Sequence, residues 1–510
     1  MAKIERTKNA SRNILYGVVL KTYQIIMPFI IRTAMIYLMG VQYLGLNSLF
    51  TSILQILNLA ELGVGTAMVF SMYKPIAEDD SVTICALMKL YRTYYRVIGA
   101  VIAIIGMILL PFIPHLINGE IPGDINIYIL YLLNLGSTVL SYWLFAYKNS
   151  ILQAHQRVDV ISKVELVTNT FQYLLQLLVL WLFHNYYLYV IVMLFSQALT
   201  NIITAIYANK IYPKYKPLGE IEVKKKKEIN RRIKDLFTSK IGFVVVNFAD
   251  TIVISAFLGL TDLAIYQNYY FIINSITCFI FIINNSICAG IGNSLLTESL
   301  DKNYRDYEKF NFILFWIIGF CISCFVALIQ PFMKLWVGSQ LMLSDSMVVL
   351  FCIYFLCNVV ERSWSCFKEA AGVWHEDRFR PLIYGVVNLI VNLLLVRYIG
   401  LYGIVISTIM SCAFISIPWI AHDTFKIIYK RTIGGFLKEI LGYIVCIIIC
   451  SLINYYVCSL IKGDSFVIFI IKCFISLILP NVIFVLIYFK SGLMKESISL
   501  FKKMLPFKKK

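Results

Sequence analysis

The sequence predicts an all-α polytopic membrane protein of about 14 transmembrane helices, arranged as two pseudo-symmetric six-helix lobes plus two extra C-terminal helices. Three observations predict it. Of 510 residues, 60% are hydrophobic and 15% charged, with a mean hydropathy of +0.78; a soluble chain carries about 25% charge. The apolar residues fall in continuous runs long enough to cross a bilayer as helices of about 20 residues, and continuity excludes a transmembrane barrel, whose strands alternate. The basic residues, finally, collect in every second loop, as they do on the cytoplasmic side of membrane proteins.

The predicted helices of the first block are 13–39, 45–71, 90–113, 125–147, 161–183 and 187–208. A polar stretch then follows at 209–240, NKIYPKYKPLGEIEVKKKKEINRRIKDLFTSK, with eleven Lys/Arg against four acids. Beyond it come 237–259, 263–290, 310–330, 345–368, 380–398 and 402–421, then 437–461 and 465–489. With the N-terminus placed inside, the inner segments hold 37 Lys/Arg and the outer ones three, Lys334, Arg397 and Lys462. This places both termini in the cytoplasm and identifies 209–240 as the strongest cytoplasmic marker. The net charge of +18 is thus a matter of topology, not nucleic-acid binding. The basic residues ahead of the first apolar run resemble a signal peptide, but the run is too long for one and reads as a retained first helix. The thirteen cysteines lie in apolar runs and read as packing residues.

An internal repeat is legible. Aligning Gly40 in RTAMIYLMGVQYLGL with Gly259 in TIVISAFLGLTDLAI gives an offset of 219, which also pairs Asn169 with Asn388. The expected organisation is an N-terminal lobe at 1–208, a basic cytoplasmic linker at 209–236, and a C-terminal lobe at 237–427. Two helices and a basic cytoplasmic tail fill 428–510. Both lobes share one orientation, as in a parallel repeat about the membrane normal.

Ionisable and amide side chains within spans mark candidate sites, because they face a bundle interior or a wet cavity. Lys21, Gln24, Pro28 and Arg32 share one face of the first helix by their steps of three and four, and Pro28 predicts a kink. The second helix carries Asn47, Thr51, Gln55, Asn58, Glu61 and Gly65. Lys240, Asn247 and Asp250 mark the seventh, Gln267, Tyr270, Asn274 and Thr277 the eighth, and Asn134, Thr138 and Ser141 the fourth. Interhelical hydrogen bonding is the competing reading of each such residue, worth about 1 kcal/mol per bond. Glu361 and Arg362, adjacent in the tenth helix, do not share a face, so each pairs elsewhere or reaches the interface. Arg92 and Arg96 either snorkel to headgroups or line a cytoplasmic mouth. The 224–227 lysines read as a solvated run attracted to anionic lipid, and Glu78–Asp79–Asp80 as a solvated turn. The sequence has no P-loop, GxSxG, HExxH or Gly-rich dinucleotide turn. The expectation is therefore a protein that is not an enzyme, has no cofactor, and draws on a gradient, of Na+ or H+ among others, for uphill work.

The opening, SRNILYGVVLKTYQIIMPFIIRTAMIYLMGVQYLGLNSLFTSILQILNLAELGVGTAMVFSMYKPIAEDD at 11–80, resembles the start of bacterial polysaccharide repeat-unit flippases. These belong to the multidrug/oligosaccharidyl-lipid/polysaccharide exporter superfamily; GLYGIVISTIMS at 400–411 extends the likeness. The resemblance implies two six-helix lobes around a central cavity, alternating access, and residence in the bacterial cytoplasmic (inner) membrane. It implies a cargo of undecaprenyl-diphosphate-linked oligosaccharide moved to the outer leaflet, with a polymerase and glycosyltransferases as pathway partners and no nucleic acid. On that reading Arg32, Lys21 and Lys240 meet the diphosphate, and Arg32 resembles in position the helix-1 arginines of peptidoglycan-precursor flippases. Gln24, Gln55, Asn58, Asn247 and Asn274 meet sugar hydroxyls. Glu61 and Asp250 are candidates for a coupling cation or for pairing with Arg32. The alternatives are a peptidoglycan lipid-precursor flippase, a multidrug cation exporter, and a non-transporting scaffold for glycosyltransferases.

Overall fold

Helix is the only regular element among the described residues of the computed structural model, which are 6–61, 63–373 and 375–504. The side chains at 6–15, 60, 235, 236, 238–240, 243, 285, 286, 289 and 500–504 lie outside that description. Eleven of the described helices are long and apolar enough to cross a bilayer, or twelve if a pair bent by 45° at Trp143 is one span. Every predicted span lies on helical backbone. Two fall short by themselves: the second is broken, and the seventh has only Val244–Leu258 as its apolar part.

The chain divides into two compact units, Met1–Gln267 and Asn268–Lys510, and each is described by itself. The first contains α1 (Arg6–Leu38), α2 (Val41–Leu57), α3 (Val64–Ala77), α4 (Ser81–Leu109), α5 (Ile127–Trp143), α6 (Asn149–Ala154), α7 (Val158–Phe183), α8 (Tyr186–Ile211) and α9 (Val223–Leu258). Side-chain caps fix several starts. Asp80 accepts from Thr83 N at 3.0 Å to begin α4, and Asn185 accepts from Leu188 N at 3.0 Å to begin α8. Each cap supports its helix by about 1 kcal/mol.

The predicted second helix, 45–71, is not continuous. After α2 the backbone tightens into a 3-10 turn at Asn58–Glu61, and Gly63 takes φ +90° before α3 resumes. A side chain at that φ meets its own backbone, so glycine is needed. The predicted seventh helix starts earlier than expected, at Val223. The basic run is therefore helical rather than a loop, as its Lys, Glu and Arg propensities favour.

The polar residues before α9 are not a free tether. Lys214 Nζ lies 3.0 Å from Asp79 and Lys89 Nζ 3.4 Å from Glu220; Tyr94 donates to Asn230 at 2.6 Å; His155 lies 4.2 Å, ring to ring, from Tyr212. The acidic turn is a docking point rather than a solvated turn: Asp79 takes Lys214, Asp80 caps α4, and only Glu78 stays with Lys74 at 3.7 Å. The bond from Lys214 holds the Asp79 carboxyl below the usual carboxylate range. Lysines 224–227 are exposed, as read from the sequence.

The second unit follows α10 (Leu260–Thr297) with α11 (Leu300–Val337), α12 (Asp345–Ala370), α13 (Arg380–Ile399), α14 (Leu401–Ser411), α15 (Ile417–Asp423), α16 (Gly434–Leu460), α17 (Phe466–Tyr488) and α18 (Gly492–Met504). Wider π-turns at Cys412–Ser416 and Thr424–Tyr429 flank α15. The two extra helices, α16 and α17, pack on α11. Trp316 stacks on Phe484 at 5.2 Å and donates to Asn481 at 2.9 Å, while Asn454 donates to Ser323 O and Ser476. Glu496 of α18 receives Arg305 at 2.8 Å, and that bond holds its carboxyl below the usual range. All thirteen cysteines are thiols, including Cys321 and Cys324, a C-x-x-C pair inside α11.

The repeat read at offset 219 has a backbone counterpart. Gly40, between α1 and α2, has φ +113°, and Gly259, between α9 and α10, has φ +97°. A second pair at the same offset, Gly119 and Gly338, has φ +86° and +82°.

Candidate functional site

The break between α2 and α3 builds the most polar cavity described. It belongs to the first unit and encloses about 460 Å³, lined by Glu61, Thr66, Tyr73, Tyr95, Asn149 and Gln153 among others. The 3-10 turn ends on Glu61, which faces α4. There Tyr95 Oη donates to Glu61 Oε1 at 2.7 Å, and Tyr91 Oη donates to Tyr95 Oη at 2.6 Å. Tyr142 of α5 donates to Asn58 Oδ1 at 3.1 Å, with its ring edge-on to Tyr95 at 5.3 Å. Gly65 admits this cluster: a Cβ there would lie 3.1 Å from Tyr91 Oη and 3.4 Å from Glu61 Oε1. The opposite wall comes from the bend after α5, where Phe145 takes φ +58° and α6 starts at Asn149. Beside that wall lie two cationic groups, Arg92, in electrostatic reach of Tyr147, and buried Lys148, whose Nζ is 3.5 Å from Tyr215 O.

The chemistry of this cavity is one carboxylate oriented by a tyrosine chain, with amides, hydroxyls and aromatic faces around it. Such a wall hydrogen-bonds a polyhydroxylated ligand and stacks on its apolar faces. The sequence named Asn58 and Glu61. It missed Tyr91, Tyr95 and Tyr142, whose only signal is that Tyr91 and Tyr95 stand four residues apart on one helix face, and it missed Asn149 and Gln153, read as part of an inside loop.

The other predicted residues are distributed. Arg32 is half-buried, with Tyr189 of α8 in its electrostatic reach; Tyr189 stacks on Tyr186 at 5.6 Å, and Tyr186 reaches Asn47 at 3.5 Å. Lys21 is exposed and Gln24 half-buried on the same helix. Gln55 is exposed and does not line the cavity, because the break after α2 rotates the rest of the stripe away. Asn247 is half-buried and Asp250 buried on α9, next to Thr251, which accepts from Gln267 at 2.9 Å. Asn274 is half-buried on α10, in the second unit. The side chain of Lys240 lies outside the described residues.

Two stripes serve packing. In α5, Asn134, Thr138 and Ser141 bond back to their own helix, and Asn201 of α8 donates to Ser141 O at 2.8 Å. In the second unit, Asn284 donates to Ser363 at 2.7 Å.

The second unit holds a buried charge network. Arg380 donates to Glu361 and Ser416 at 2.5 Å each and to Asp377 Oδ1 at 2.5 Å; Lys368 pairs with Asp377. The π-turn at 412–416 turns Ser416 onto Glu361 at 2.9 Å. Glu361 was read as pairing away from Arg362, and it does; Arg362 lies over the Phe281 ring at 4.6 Å. With Lys368, Asp377 and Arg380 at most 6% exposed, removing one partner strands a charge, which costs about 3–5 kcal/mol.

Fold and sites together define a multi-pass helical membrane protein with polar chemistry buried inside its first unit. A family model described as "Polysaccharide biosynthesis protein" matches residues 10–288, and the chain belongs to that family. No curated protein matches it. Among solved structures it is similar to the lipid II flippase MurJ in an inward closed conformation, with TM-score 0.68 and 15% identity over 94% of this chain and 99% of that one. It is also similar to an inward-facing MATE multidrug resistance transporter of the MOP superfamily, with TM-score 0.59 and 14% identity over 79% and 97% of the two chains. The MATE transporter VcmN of Vibrio cholerae gives TM-score 0.55 and 13% identity over 83% and 99%. The fold is thus that of MOP superfamily transporters and flippases.

Proposed function

We propose that the protein is a flippase for undecaprenyl-diphosphate-linked oligosaccharide repeat units. It works by alternating access in the bacterial cytoplasmic membrane, with both termini inside, upstream of a polymerase and downstream of glycosyltransferases. The observation that carries this reading is the tyrosine- and amide-lined cavity around Glu61 in a chain of the polysaccharide biosynthesis family. A sugar brings many hydroxyls into a medium that cannot solvate them, so they need partners on the path. Glu61, Asn149 and Gln153 supply acceptors and donors, and the tyrosines supply faces. The diphosphate needs cations, for which Arg32 is the first candidate and Lys21 the next, through charge-assisted hydrogen bonds. A multidrug cation exporter would place carboxylates rather than arginine deep in the first lobe; Glu61 fits that alternative, and Arg32 and Lys21 argue against it. Glu61 and Asp250 are the candidates for coupling to Na+ or H+.

The test is translocation of a fluorescent polyprenyl-diphosphate oligosaccharide in proteoliposomes, scored by protection from an impermeant quencher. Glu61→Gln, which takes the charge from a hydrogen bond worth about 1.5–3 kcal/mol, is expected to cut the rate about tenfold, and Gln153→Ala, which removes a neutral partner worth about 0.5–1.5 kcal/mol, about twofold to tenfold, at unchanged protein incorporation. Transport of a sugar-free polyprenyl diphosphate is expected to be less affected. Equal loss for both lipids would remove the sugar assignment.

A further inference from the structure

A second cavity, in the second unit, has the opposite chemistry. It encloses about 650 Å³ among α11, α12, α15 and α16, and its lining is almost entirely apolar. Phe315, Leu356 and Ile444 close its deep end; Trp364 and Ile440 form its sides. Trp364 is held rigid by donating to Asn311 at 2.7 Å. Only the mouth is charged, where Lys426 and Arg431 line the rim beside His422.

The mouth sits on FKIIYKRTIGGFLK, residues 425–438, which carries four basic residues and no acid. Lys426 is exposed. Arg431 lies over the Tyr304 ring at 4.2 Å and gives Nη2 to Asp301 at 2.5 Å, which holds the planar guanidinium at the rim. Guanidinium carries five N–H donors, so one acceptor does not exhaust it. His422 faces Asp423 at 3.2 Å. The first turn of α16, at Gly434 and Gly435, has no side-chain cap and adds its own donors.

Depth decides the occupant. Ile433 at the rim and Ile444 at the deep end both line the cavity. The eleven residue steps from one to the other span about 16 Å of helix, roughly half of a hydrocarbon core about 30 Å thick. An apolar slot one leaflet deep, capped by cations at the end proposed to face the cytoplasm, has the dimensions of one phospholipid. Basic pockets between helices at that surface bind anionic headgroups.

We infer that this slot is a binding site for one anionic glycerophospholipid, its acyl chain between α12, α15 and α16 and its phosphate on Lys426 and Arg431. The lipid joins α16, one of the two extra helices, to the six-helix part of the unit.

The test uses the full chain in detergent, titrated with phosphatidylglycerol or phosphatidylcholine and read by native mass spectrometry. One phosphatidylglycerol is expected to be retained more tightly than phosphatidylcholine. The exposed pair Lys426→Gln/Arg431→Gln should weaken retention about tenfold to thirtyfold, from about 1 kcal/mol per basic group. Ala413→Phe, which fills the slot, should abolish it; if that variant misfolds, the exposed pair still decides. Replacing lysines 224–227 by Gln should leave the single tight lipid in place. Equal retention of both lipids, or retention unchanged in the exposed pair, overturns the site. Retention of undecaprenyl phosphate in preference to phosphatidylglycerol overturns the occupant.

Discussion

Arg32 and Arg380 show why a basic residue in an apolar helix needs its surroundings before it can be read. Arg380 is held by Glu361, Asp377 and Ser416, so its charge is spent on fixing the inner part of the second unit. Arg32 is half-buried on α1, with Tyr189 of α8 in its electrostatic reach and Tyr186 stacked on Tyr189. Arg32 shares its helix face with Lys21 and Gln24, where the proposed function places the diphosphate. Arg32→Ala is therefore expected to abolish surface polysaccharide in a complemented null strain while membrane protein level stays the same. Arg32→Lys should restore part of it by keeping the charge but losing the fork geometry. Normal polymer in the alanine variant would take Arg32 out of the mechanism. Arg32 is conspicuous in the sequence, whereas Arg380 counts there only among the basic residues of an inner segment; its three partners come from three separate segments. Contacts with Glu361 and Ser416, distant in sequence, are what identify Arg380 as a structural cation.

The helix break at 58–63 determines where the polar stripe of the second span points. A continuous helix would keep Asn47, Gln55, Asn58 and Glu61 on one line. Within α2 Asn47 lies toward Tyr186 and Gln55 is exposed; the break that follows delivers Asn58 and Glu61 to the tyrosines of α5 and α4. Hydropathy recorded the span but not the break, because Asn-Leu-Ala-Glu-Leu-Gly fits a helical period and a single glycine is tolerated within one. The caps, by contrast, follow directly from sequence: Asp80, Asn185 and Ser344 precede apolar runs and begin helices. Gly63 at φ +90° is the residue on which the break depends. Gly63→Ala should disfavour that conformation by at least the roughly 1–2 kcal/mol that L-residues lose in left-handed backbone. The expected outcome is transport reduced severalfold with the chain still inserted, and altered exposure of a cysteine introduced at Thr66, which lines the cavity. Unchanged labelling and unchanged transport would show that the break is not required.

At the scale of the whole molecule, charge and backbone repeat speak for different things. The census of Lys and Arg carries the expectation of which loops stay inside; the glycines at 40, 259, 119 and 338 mark where the chain reverses in each half. The glycine pairs were legible in the sequence as an offset, because turns are local properties. The docking of residues 209–222 onto the first unit was not, since Lys214–Asp79 and Lys89–Glu220 join residues more than 120 positions apart. That docking separates the stretch into two parts with different work. The ion pairs are exposed, at 56% and 61% for Lys214 and Asp79, and pairs of that kind contribute about 0–1 kcal/mol each. Their joint effect is to set the path of the chain into α9 rather than to hold the fold. Lysines 224–227 are exposed on the first turn of α9, where anionic headgroups can attract them. Replacing all four by Gln is therefore expected to leave transport nearly intact while weakening the bias that keeps this segment inside. The measurement is cysteine accessibility at position 219 from either side of the membrane, taken alongside polysaccharide output. A transport defect in molecules that are correctly oriented would assign the run a direct role in handling the anionic cargo.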